Sequence, residues 1–222
     1  MNIIVTCEHG GNQVPIEYQN LFIGHEVTLN SHRGWDPGAL HLAKLIASRY
    51  KLPLFESETT RLLIELNRSL HHPQLFSEFS QHLSKEEKDR LIQQFYNPYR
   101  NTVEEFIRQS GKPLCHLSVH SFTPVLHDEV RSTDVGLLFD PSRTKESMIC
   151  TQLKKEFNHV LPDNQIDFNK PYLGTDDGFT TYLRTKFTDL DYAGIEIELN
   201  QKLASDQTVM NKVVDAIASL TY

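Results

Sequence analysis

The chain lacks any run approaching the roughly 20 consecutive apolar residues that a membrane-spanning helix needs, and this argues against membrane insertion. Positive charge is also scarce. With 22 basic against 29 acidic residues and a net charge of −7, no electrostatic footprint for nucleic acid or an anionic membrane surface is present. Only 3 cysteines occur, Cys7, Cys115 and Cys150, and their odd number without CxxC spacing sets aside both a disulfide framework and a thiolate zinc site. Two of them fall in strand-like runs, where a cysteine acts as a small buried hydrophobe. The opening MNIIVTCEHGG has neither the basic region nor the longer apolar core of a secretion signal, so a cytoplasmic protein is expected.

What is present is an ordinary globular balance, 39% hydrophobic and 23% charged over 222 residues, enough for one sizeable core and an expected single domain over residues 1–222. Strand-like runs recur at 2–7, 52–55, 114–119, 135–139 and 193–199. Amphipathic helical patterns lie between them at 37–50, 85–109, 145–158 and 207–220. This alternation predicts an α/β fold, a mostly parallel sheet covered on both faces to make three layers. Ser84 with Glu87 three residues on reads as a capping box, and Asn97-Pro98 should kink or split the helix that follows. The 110–113 stretch, Ser-Gly-Lys-Pro, reads as its stop. Asp36-Pro37-Gly38 reads as a helix cap followed by proline in the first turn.

The polar chemistry collects in loops, where open α/β sheets bind their ligands. In IIVTCEHGGN a β-branched run ends abruptly in Glu8, His9 and two glycines, and in VHSFTP His120 likewise follows an apolar run. Imidazole nitrogen and carboxylate oxygen suit zinc, and a catalytic zinc takes three protein ligands plus an open position. Asp36 in HRGWDPGA is the economical third ligand, with Glu8 its rival. Among the 11 histidines most must be surface or packing residues, so position alone selects these two. In GIEIELN, Glu196 and Glu198 alternate along an apolar strand and share one face, where a carboxylate needs a partner or a task such as proton transfer at a metal-bound water. Arg61 and Arg68, bracketing LLIELN, and the later Arg184 offer planar forks for a substrate carboxylate. Gly10 and Gly11 would permit a sharp turn and the close approach of substrate to backbone.

The ordered set CEHGG, HRGWDPGA, TRLLIELNRS, VHSFTP, DVGLLFD, DGFTTYLR and GIEIELNQ, spread over nearly the whole chain, resembles the N-formylglutamate amidohydrolase family. The resemblance implies a three-layer α/β/α, phosphorylase/hydrolase-like fold with a mostly parallel mixed central sheet, related to zinc carboxypeptidases and muramoyl-amide amidases. It implies zinc held by His9, Asp36 and His120, and Glu198 rather than Glu196 as general acid/base. Arg68 and Arg184 would then hold the acid group of a small N-acyl amino acid, with Arg61 and Gly11 also near it. Glu196 would pair with a neighbouring basic group. Members associated with histidine breakdown read PHSG and ITRHYG where this chain has EHGG and TTYLR, so N-formyl-L-glutamate is one candidate among N-acyl amino acids. The rival expectations are a peptide or peptidoglycan amidase built on the same centre and a non-catalytic binding module on the same fold.

Overall fold

The computed structural model describes residues 2–111 and 113–221; Lys112, within the expected helix stop, lies outside them. Strand β1 (Asn2–Cys7) leads through a 3-10 segment (Ile16–Phe22) and a single turn, α1 (Glu26–Leu29), to α2 (Ala39–Tyr50) and the short β2 (Leu54–Glu56). After a long irregular stretch come α3 (Lys85–Leu91), a π-helical turn (Ile92–Tyr96) and α4 (Asn97–Gln109). Then follow β3 (Leu114–Phe122), a hairpin of β4 (Val125–Leu126) and β5 (Glu129–Val130), β6 (Val135–Leu138), α5 (Thr144–Val160) and β7 (Ile166–Phe168). The chain closes with α6 (Phe179–Arg184), β8 (Tyr192–Asn200) and α7 (Gln207–Ile217).

The main sheet has the order β2-β1-β3-β8-β6-β7. Its first four strands are parallel, and β6 runs antiparallel to β8, placing Gly136 opposite Glu198. Helices cover both faces, so the architecture is the three-layer α/β/α arrangement with a mostly parallel mixed sheet. On one face Val5, Leu117 and Ile195 pack with Leu42 of α2, Leu153 of α5 and Val213 of α7. On the other, Ile4, Leu114 and Tyr192 pack with Val103 and Ile107 of α4 and with Phe179 and Leu183 of α6. Each such side chain contributes about 1.5–3 kcal/mol through its removal from water. A further cluster, including Phe22, Leu63, Leu66, Leu75 and Leu91, gives the irregular stretch its own buried anchor points.

Local chemistry explains the boundaries. The Ser84 hydroxyl accepts from Glu87 N at 3.2 Å while Glu87 Oε2 accepts from Ser84 N at 2.9 Å, the reciprocal cap expected from the sequence. Pro98 has no N–H to continue an α-helical ladder, and the helix widens just before it, with Asn97 N reaching back to Ile92 O. The expected cap at Asp36 is corrected: Gly38 occupies the N-cap of α2, which starts at Ala39 rather than Pro37. The Asp36 side chain is instead drawn into the protein by the charged partners described below. The strand β7, the β4–β5 hairpin and α6 have only 2 to 6 residues each, too few for a hydrophobic period to announce them. Among the described residues no helix is long and apolar enough to cross a membrane.

Candidate metal centre

Alternation along three neighbouring strands builds the site. In β3, Cys115, Leu117 and Val119 belong to the apolar core, so His116, Ser118 and His120 must face the other way. The register sets Ser118 beside Glu196 and His120 beside Glu198 on β8. On the far side of β3, Thr6 of β1 lies level with Ser118, and the chain runs on through Glu8 to His9. A polar row therefore crosses the centre of the sheet almost wholly buried, reaching the surface only where Glu196 and Glu198 border a cleft. It begins structurally: His116, fully buried, pairs with Thr6 Oγ1 at 2.7 Å and Tyr192 Oη at 2.8 Å, and burial drops its pKa to about 4.

Further along, the row becomes a cluster with ligand geometry. His9, Asp36 and His120 are all buried and can each offer a ligand atom such that these atoms lie within 4.8 Å of one another. Asp36 Oδ2 stands 3.2 Å from His9 Nδ1 and 2.9 Å from His120 Nδ1. The backbone fixes the first pair, since Asp36 N–H donates to His9 O at 2.9 Å. Asp36, not Glu8, completes the group.

Each ring has a carboxylate behind it. His9 Nε2 donates to Glu65 Oε1, and His120 Nε2 lies 3.1 Å from Glu8 Oε2. A carboxylate only accepts, so each ring donates from Nε2 toward the acid behind it and from Nδ1 to Asp36, and an acid behind the ring is the kind of partner that orients a histidine ligand. Glu8 is held in turn by the Ser118 hydroxyl at 2.7 Å and the Tyr99 hydroxyl at 2.9 Å. Burial works against the charge of Glu8, Asp36 and Glu65, but the histidines and Arg61 outweigh it and hold all three carboxyls below their ordinary range. His9 and His120 are raised correspondingly by those carboxylates, against the effect of burial.

Glu198 behaves differently. Its Oε2 is buried without a hydrogen-bond partner among the described residues, and burial pushes its pKa up to about 7; His120 opposes the rise, and Asp36 and Glu196 add to it. It lines a cleft of about 190 Å³ together with His9, Asp36 and His120. A partnerless carboxyl poised near neutrality beside a ligand-like cluster has the properties of a proton carrier.

The remaining expected residues divide. Arg61 and Arg68 line the cleft. Arg61 is engaged by Glu65 at 2.6 Å and by Asp36 at 3.2 Å, while Arg68 donates to the carbonyls of Asn67 and Asp177. Arg184 is turned away from the cleft onto buried Glu146 at 3.0 Å and the Gly194 carbonyl at 2.8 Å; that buried acid is compensated by Arg184 and Arg143 together with the N–H groups of Asp140 and Gly194. Gly11 does not line the cleft: a Cβ there would lie 2.8 Å from Glu58 O, so its close approach is to the chain beyond β2. Gly10 abuts the same stretch, donating to Ser57 O at 2.9 Å. Glu196 pairs not with a basic group but with the Thr180 hydroxyl at 2.6 Å. Sequence reasoning passed over Glu65, although an acid inside LLIEL carries the same signal used for Glu196 and Glu198. It also passed over Arg100, whose Nη1 donates to the carbonyls of Leu66 and Arg68, each at 3.0 Å, and so fixes the segment carrying Asn67.

Residues 1–205 match the family described as N-formylglutamate amidohydrolase. No curated protein sequence matches the chain. Among solved structures, gene product Atu2144 from Agrobacterium tumefaciens is 24% identical with a TM-score of 0.82, over 100% of this chain and 92% of that one, a likeness of fold. An N-acetylmuramoyl-L-alanine amidase from Clostridium difficile 630 is 10% identical at a TM-score of 0.46, over 99% of this chain and 94% of that one. A metallo-carboxypeptidase from Burkholderia cenocepacia is 11% identical at 0.42, over 99% of this chain and 56% of that one.

Proposed function

Because the chain belongs to the N-formylglutamate amidohydrolase family, we propose that it hydrolyses the amide bond of an N-acyl amino acid, releasing a carboxylic acid and a free amino acid, with a zinc ion held by His9, Asp36 and His120. The observation that carries this reading is the convergence of those three side chains beside the unpartnered carboxyl of Glu198. The donor set fits the metal: two imidazole nitrogens and a carboxylate oxygen, with both opposite ring nitrogens already bonded to acids. A divalent ion in such a set supplies Lewis acidity toward a carbonyl oxygen and lowers the pKa of a bound water toward about 7.

The protein's own groups do the rest. Glu198 takes a proton from the attacking water as the oxygen joins the carbonyl carbon, and returns it to the nitrogen as the carbon–nitrogen bond breaks. Burial suits it to both tasks, since a carboxyl titrating near 7 accepts and releases protons at neutral pH. Arg68, at the cleft wall, holds the substrate carboxylate and so fixes the amide against the nucleophile. The modest size of the cleft suits a small acyl amino acid better than a glycan strand.

Elemental analysis of purified protein should find a single equivalent of zinc per chain, and hydrolysis of N-formyl and N-acetyl amino acids should disappear with a chelator and return with added zinc. Protein free of metal that still hydrolyses them at full rate would refute the assignment.

A further inference from the structure

Glu196 is 8% exposed, lines the cleft, and makes one bond, in which Oε1 accepts from the Thr180 hydroxyl at 2.6 Å. Its Oε2 has no hydrogen-bond partner among the described residues, and no cation stands at ion-pair distance from it. Arg184 senses this charge but commits its nitrogens to Glu146, the Thr181 hydroxyl and the carbonyls of Gly174 and Gly194. Arg131, stacked over Phe122 and Tyr172 and bonded to Tyr172 Oη at 3.0 Å, brings a further guanidinium to the aromatic lining but does not pair with Glu196 either. A buried carboxylate rarely leaves an oxygen without a donor, so this one is a place for a ligand's N–H or O–H.

Its neighbours fix which donor comes there. Along β8, Glu196 shares a face with Glu198 two residues on, about 7 Å away by strand geometry. On its other side, a Cβ built on Gly178 would lie 3.5 Å from Glu196 Oε1 and 3.3 Å from Asn67 Oδ1, while Arg68 donates to the carbonyl of Asp177, one residue earlier. Glu196 therefore stands between Glu198 and the guanidinium assigned to the substrate carboxylate.

Resting on the amidohydrolase reading above, we propose that Glu196 accepts the N–H of the scissile amide and so restricts hydrolysis to acyl groups carried on an N–H. In an N-acyl amino acid only the nitrogen and Cα separate the acyl carbon, at Glu198 and the ligand cluster, from the carboxylate at Arg68. The nitrogen holds the one donor in that span. As the carbon–nitrogen bond breaks, the amine leaves with the proton that Glu198 returns and with the hydrogen that faces Glu196. An ester oxygen in place of the N–H would set a lone pair against the carboxylate, and a site built for a donor rejects such an analogue strongly.

Titration calorimetry on the zinc-loaded Glu198→Gln protein separates binding from turnover. The probes are two amides, N-acetyl-L-alanine and N-acetyl-L-glutamate, each against its ester counterpart, O-acetyl-L-lactate or O-acetyl-L-2-hydroxyglutarate. The amide that binds better should do so about tenfold or more tighter than its ester. Adding Glu196→Met, which keeps the length of the side chain without an acceptor, should close that gap by weakening the amide. Adding Thr180→Ala, which removes the partner of Glu196 but not the acceptor, should keep the gap; its loss there would make Glu196 a structural prop and overturn the proposal. Equal binding of amide and ester with Glu196 intact, or a gap that survives Glu196→Met, would also overturn it and leave the amidohydrolase reading standing. Failure of both amides to bind would overturn both.

Discussion

Along β3 the residues Cys115, Leu117 and Val119 face one helical layer, and His116, Ser118 and His120 face the other; neither row is more than slightly exposed. The same holds on β8, where Ile195 and Ile197 back onto Glu196 and Glu198. Equal burial therefore serves opposite ends. On the apolar face it yields stability directly, through area removed from water. On the polar face it costs desolvation, which is offset only because each group finds a partner, as His116 does in Thr6 and Tyr192. Glu198 is the exception on that row, and its raised pKa is the energetic trace of a partner withheld.

The contrast breaks most visibly at His120. His120→Ala should abolish zinc retention and reduce turnover by on the order of 10³-fold or more, measured by elemental analysis and kinetics. Glu198→Gln should keep the zinc and the fold while kcat falls roughly 10²–10⁴-fold. With Glu198 intact, kcat/KM should rise with pH to a plateau, its midpoint near 7, because only the ionised carboxylate accepts the proton. A flat profile between pH 5 and 8 would remove Glu198 from the proton path. On the opposite face, Ile195→Ala should cost about 2–5 kcal/mol of stability in denaturant titrations, with the turnover of folded protein unchanged. Loss of zinc in that variant would mean the faces are not separable. Glu65→Gln should weaken zinc about 10–100-fold in chelator competition and lower the melting temperature, because His9 and Arg61 lose a buried carboxylate.

Much of this was legible in the sequence where one strong local signal acted alone. The β-branched run of β1 and the capping box at Ser84 needed no distant partner to be read correctly, whereas the expected kink or split at Pro98 is a π-helical turn within a continuous helical stretch. The group His9, Asp36 and His120 was reached through motif order, and the structure brings those side chains together. Asp36 as a helix cap was a misreading because the local motif is real but a stronger electrostatic demand, from two histidines and Arg61, recruits the side chain. Arg184 and Gly11 followed the same pattern, each recruited by a neighbour far along the chain that no local period announces. Glu65 sits in a segment without regular secondary structure, tied down by bonds such as Glu65 N to Leu75 O, so its direction is a tertiary fact.

Gly136, lying across from Glu198 on β6, has a consequence for anyone redesigning the cleft. A methyl group there would come within 2.1 Å of the Lys170 carbonyl and 3.2 Å of the Glu198 Cβ. The strip leading to Tyr172 and Leu173 thus rests on the same bare patch of main chain that abuts Glu198. Both sides of the cleft share one footing at that position, and even alanine there would push on the segment leading to Tyr172 and on the Glu198 side chain together.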